Sequence, residues 1–216
     1  MKKSNFVKTI LSFASIIVLI VNLTSCKKDK KTPTPTNPPP PANTEEVITT
    51  MKLVFTDSAT SVIKTFTFED ADGEGGNAGM FLGTNQSDSI ISLDANKTYS
   101  LEIILLDVTK NPADTISKEV EEEGDEHMLF FNANNPGGNP YVVTLAGSGI
   151  KITYLDLDGG TTARGIGLKT RVRTYAATNP VKHPFTVTLK HQPGSKDGTF
   201  AQGETDVEVG FKVIVN

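Results

Sequence analysis

Val207-Glu208-Val209-Gly210-Phe211-Lys212-Val213-Ile214-Val215 closes the chain with an apolar side chain at every second position. A helix would repeat its apolar face every three or four residues; a period of two belongs to a strand with one face in a core and the other in water. The same beat runs backwards through the sequence. Phe185, Val187 and Leu189 keep it, as do Leu168 and Val172, then Ile150, Ile152 and Tyr154. Tyr99, Leu101, Ile103 and Leu105 form another run, preceded by Met51, Leu53 and Phe55 and by Val62, Phe66 and Phe68. Turn clusters such as Asn134-Asn135-Pro136-Gly137-Gly138 and Gln192-Pro193-Gly194 separate the runs. Many short strands with such punctuation predict an all-β chain, an antiparallel, immunoglobulin-like β-sandwich. Only Asp114 to Glu123, with Ile116 and Val120 four apart, reads as a helical turn, and a short strand fits nearly as well.

The sandwich is expected to occupy residues 45–216, long enough for one well-filled core. Ahead of it, Lys2, Lys3 and Lys8 precede an apolar stretch from Ile10 to Leu23. At about 14 residues that stretch is too short to cross a hydrocarbon core of about 30 Å as a helix. It runs into Leu23-Thr24-Ser25 and then Cys26, the one cysteine of the chain. The pattern resembles a bacterial lipoprotein signal: residues 1–25 are removed and Cys26 becomes the lipidated first residue. The alternative is an ordinary secretory signal with an incidental cysteine. With Cys26 acylated, no thiol is left for disulfides, thiolate zinc sites or nucleophilic chemistry. Residues 26–44 then form a tether. Lys27, Lys28, Lys30 and Lys31 can rest on anionic head groups, and Pro33, Pro35 and Pro38 to Pro41 favour an extended polyproline spacer.

The whole chain carries 21 Lys+Arg against 25 Asp+Glu, a net of −4. Residues 45–216 alone carry 14 against 24, a net of −10. An acidic head on a basic tether argues against nucleic acid as a partner and suits cation binding or solubility.

The chain also echoes itself. Thr67 to Gly73 matches Thr153 to Gly159, Tyr99 to Asp107 matches Phe185 to His191 in apolar parity, and Asp125 to Leu129 matches Val207 to Phe211. This allows two pseudo-repeated halves sharing one core, against chance likeness between β-rich halves.

Candidate chemistry centres on two Asp-x-Asp-Gly loops, Asp70, Asp72 and Glu74 in one and Asp156 and Asp158 in the other. Carboxylates one residue apart on a Gly-containing turn can converge on calcium; the same residues also make good turns without any ion. His127 and His191 share the parity of core residues at strand ends, beside Glu126 and Gln192. Two imidazoles and a carboxylate can hold zinc or another transition metal, or they can be hydrogen-bonded structural residues. Lys169, Arg171 and Arg173 form a basic strand face, and Glu119, Glu121, Glu122, Glu123, Asp125 and Glu126 an acidic run. Gly147-Ser148-Gly149 lacks the Gly-x-Ser-x-Gly frame, and no His-Glu-x-x-His occurs, so the chain is read as non-enzymatic.

The lipobox, the proline tether, the loop at 68–76, the segment at 121–127 and the stretches at 189–198 and 203–209 together resemble a set of small Bacteroidota lipoproteins. That group carries the label "type 1 periplasmic binding fold superfamily". The resemblance implies a cell-envelope protein. The fold named in the label needs two α/β domains with repeated helices, and this chain has neither the length nor the helical periodicity. Three Asp-Ser/Thr-aliphatic triplets resemble the O-glycosylation site of such bacteria and mark Ser58, Ser89 and Thr115. Lys27-Lys28-Asp29-Lys30 departs from the acidic stretch that resembles a surface-export signal in the group, which implies an outer-membrane anchor facing the periplasm. The expectation is a lipid-anchored binding or accessory module of an envelope complex. The alternative is a metal-handling lipoprotein, with calcium at the Asp loops or zinc at His127 and His191, serving an uptake system.

Overall fold

A computed structural model describes residues 46–73, 76–82, 89–138 and 141–216. Leu23, Thr24, Ser25, Cys26, the tether, Glu74 and Asp88 lie outside them. In chain order the strands are β1 (Thr50–Asp57), β2 (Ile63–Glu69), β3 (Met80–Leu82), β4 (Ile90–Leu93) and β5 (Thr98–Leu106). One helix, α1 (Ile116–Glu122), follows. After it come β6 (His127–Phe131), β7 (Val142–Leu145), β8 (Ile150–Tyr154), β9 (Lys169–Thr174), β10 (His183–His191) and β11 (Glu204–Val215).

Two sheets stack as a sandwich. The order β3-β2-β1-β5-β9-β8-β7 makes a seven-stranded antiparallel sheet. The order β4-β11-β10-β6 makes a four-stranded one, antiparallel except where β4 runs parallel to β11. Alternation decides which face goes in. Tyr99, Leu101, Ile103 and Leu105 of β5 are buried while Ser100 and Glu102 face water. Along β9, Thr170, Val172 and Thr174 go in and Lys169, Arg171 and Arg173 go out. Burying one such aliphatic side chain contributes roughly 1.5–3 kcal/mol, so a register slip, which would expose a whole row, is strongly disfavoured.

Aromatic rings stitch the layers edge to face. Phe55 of β1 meets Phe185 of β10 at 6.5 Å, Phe81 of β3 meets Phe211 of β11 at 5.1 Å, and Tyr154 of β8 meets Phe131 of β6 at 5.9 Å. The strand β6 departs from alternation, with all five residues buried. Its outer face is covered as well, because Phe200 packs on Phe130 at 5.4 Å and the Lys190 ammonium lies over the Phe200 ring. Of the two readings of 114–123, helical turn or short strand, the helix forms as α1, which buries Ile116 and Val120, one turn apart, and leaves its glutamates outside.

The echo within the sequence does not become a rotation of one half onto the other. Matching β2 to β8 keeps both in the seven-stranded sheet, whereas matching β5 to β10 crosses between sheets. The core is nonetheless one cluster, drawing residues from both halves.

Candidate functional site

His127 opens β6 and His191 ends β10, and the antiparallel register sets them directly opposite one another. Both follow the inward parity of Leu129 and Leu189, so their rings share one side of the sheet. They stack with centroids 4.6 Å apart and planes 19° from parallel. Both are buried.

Four carboxylates close on this pair. Glu46, four residues ahead of β1, brings Oε1 to 3.2 Å from His127 Nε2. Asp206 of β11 brings Oδ2 to 3.9 Å from the same nitrogen. Glu123, which caps the C-terminus of α1, faces the other side of the ring: its carbonyl lies 3.3 Å from Nδ1 and its Oε2 4.0 Å away. Glu126 approaches His191 Nε2 at 3.4 Å. The path of Asp206 depends on a β-bulge. Leu189 pairs with Val207 and Lys190 with Thr205, so Asp206 is an extra residue between them. The bulge turns its side chain to the core side alongside Val207.

These charges set each other's protonation. Burial pushes the Glu46 carboxyl up, but the imidazoles of His127 and His191 outweigh it and hold that carboxyl below its ordinary range. Burial likewise pushes the His127 imidazole down, and Glu46, the Glu123 carbonyl and Asp206 prevail over it and raise its pKa. Each group thus favours the charged form of the other. Among the described residues, Glu46, Glu123 and His127 are the one group of three or more acidic, histidine or cysteine residues whose ligand atoms all lie within 4.8 Å of one another. His191 stands beside that group, stacked on its imidazole, and is not part of it. The sequence signalled the two histidines; it held no sign of Glu46 or Asp206.

The Asp-x-Asp-Gly loops are built as turns. Asp156 accepts N–H bonds from Gly167 and Lys169, both at 2.9 Å. It thereby holds a segment whose Ile166 carbonyl accepts the Leu129 N–H of edge strand β6. Asp158 accepts N–H bonds from Gly160 and Arg164, and its Oδ2 meets the Lys196 ammonium at 2.9 Å. That ammonium also donates to the Gly124 carbonyl. The oxygens expected to face calcium at this loop thus already accept N–H donors. In the first loop, Asp72 Oδ2 accepts the backbone and side-chain N–H groups of Asn77. Asp70 Oδ1 is closed off from water without a hydrogen-bond partner among the described residues. Burial and then the adjacent Asp72 raise its pKa.

The remaining candidates fall apart spatially. Ser58 is exposed in the turn between β1 and β2, whereas Ser89 and Thr115 are half-buried. The acidic run divides: Glu121 reaches Lys169 on the basic strand face at 2.6 Å, while Glu123 and Glu126 turn to the histidines. Ser148 donates its hydroxyl to the Leu145 carbonyl and makes a turn.

No family model, curated protein or solved structure matches this chain. Fold and site together define a class: a two-sheet β-sandwich with a buried imidazole–carboxylate cluster at one end of its smaller sheet.

Proposed function

We propose that this chain is a non-enzymatic binding module of the cell envelope. It hangs by an acylated Cys26 from the outer membrane, facing the periplasm, and serves a larger envelope complex. The observation that carries this reading is the order of segments: a lipobox-like Leu23-Thr24-Ser25-Cys26, a Lys/Pro-rich stretch, then a two-sheet sandwich. The imidazole nitrogens of His127 are turned to carboxylates and a carbonyl rather than to a hydroxyl or thiol nucleophile, which supports a binding role over catalysis. Palmitate labelling of the expressed chain tests the anchor. Label is expected in the membrane fraction and lost in Cys26→Ser; an unlabelled mature chain overturns the reading.

A second reading, metal handling, is favoured by the convergence of Glu46, Glu123 and His127.

A further inference from the structure

We infer that Glu46, Glu123 and His127 form a binding site for a divalent transition cation. The inference deepens the metal-handling reading and rests on it, independently of lipid anchoring.

Two observations of different kinds point to it. The first is placement: a ligand atom of each residue lies within 4.8 Å of the other two. Around zinc, with bonds of about 2.0–2.2 Å, neighbouring ligands sit roughly 3.5 Å apart. Glu46 stands at Nε2 and Glu123 at Nδ1, so an ion held on one nitrogen requires the other carboxylate to swing across the ring edge, and Glu123, with its side chain 51% exposed, has room to do so. The second is an unmet demand. Glu46 Oε2 is sealed from water with no hydrogen-bond partner among the described residues, while its Oε1 faces His127 Nε2. The Glu46 side chain is 8% exposed. A buried carboxylate oxygen without a donor is costly, and a cation is what such an oxygen lacks.

Charge and donor type narrow the ligand. Among the described residues, the ion-pair partners of Glu46, Glu123 and Glu126 are imidazoles alone. Negative charge therefore exceeds positive, and a divalent ion would balance it. One imidazole nitrogen and two carboxylates, with no thiolate, suit Zn(II), Fe(II) or Mn(II) and not a soft monovalent copper. His191, stacked on His127, is a positioning residue that fixes the plane of the ring. Glu123 is the way in, because it alone of the three reaches solvent.

Zn(II) titrated calorimetrically into the full-length, detergent-solubilised, chelator-treated chain at neutral pH tests the site. One Zn(II) per chain is expected, with a dissociation constant on the order of 1 μM or tighter. Glu46→Gln and Glu123→Gln should each weaken binding by about tenfold or more, and His183→Gln, at the far end of β10, should leave it unchanged. His127→Gln should abolish it; circular dichroism checks that this variant folds, and the two glutamine variants carry the test if it does not. Co(II) bound to the wild-type chain should show d–d absorption that Glu46→Gln removes. Absence of Zn(II) binding, or binding that Glu46→Gln and Glu123→Gln leave intact, overturns the inference. Loss of palmitate label would sink the anchoring reading and leave this titration unaffected.

Discussion

The Tyr154 hydroxyl donates to the Leu129 carbonyl at 2.6 Å, a hydrogen bond that leaves β8 in one sheet and ends on β6 in the other. Tyr154 is buried, and burial followed by the nearby Asp156 charge pushes its phenol far above its ordinary pKa, so it acts as a donor at any accessible pH. Tyr154→Phe keeps the ring and deletes this one bond. It is expected to destabilise by about 1 kcal/mol, seen as a fall of about 2–4 °C in a thermal melt. An unchanged melting temperature would show that the bond contributes nothing net.

Gly167 lies between the same two residues, with φ +97°; a Cβ there would come within 2.8 Å of Tyr154 Cε1 and 3.0 Å of Leu129 Cβ. Gly167→Ala therefore meets backbone strain and a clash with two buried side chains at once. It should cost more than Tyr154→Phe, about 2 kcal/mol or above by urea unfolding. The reverse ranking would mean that the sheets can separate locally without penalty.

Lys196 and Asp158 pair at 2.9 Å with side chains 2% and 3% exposed. Removing one member strands the other charge in the interior. Lys196→Met is expected to destabilise by about 3–5 kcal/mol. A loss below about 1 kcal/mol, the range of exposed ion pairs, would place the pair functionally at the surface.

The same aspartate predicts an acid response. Burial pushes its carboxyl up, but the Arg164 N–H and Lys196 prevail and depress its pKa below the ordinary 3.8. A depressed carboxylate contributes stability that is complete above its unfolded pKa and fades as pH falls through the folded one. The urea midpoint of the wild-type chain should thus drop below about pH 4 more steeply than that of Asp158→Asn. Parallel pH profiles would remove Asp158 as a source of acid sensitivity.

Sequence periodicity carried β5, β9 and β11 because each has one face in the core and one in water. It fails for β6, whose outer face is covered by Phe200, 70 residues later in the chain. The inward parity of His127 and His191 was readable strand by strand. Their apposition depends on which strands pair, and local pattern does not encode that. Asp206 was hidden because a bulge reverses the parity that Val209 and Phe211 imply. The Asp156 and Asp158 loops stayed open between turn and ion cradle in the sequence, because the donors their oxygens accept from lie far along the chain: Gly167 and Lys169, and then Lys196.

Glu46 precedes β1, and the first ladder bond on that side, Thr49 N–H to the Leu106 carbonyl, comes three residues after it. A force applied to the chain just ahead of β1 would therefore meet the contact of Glu46 with His127 before it meets any ladder hydrogen bond among the described residues. What sits beside that imidazole decides whether such a force is taken first by β1, inside the larger sheet, or by β6, at the margin of the smaller one.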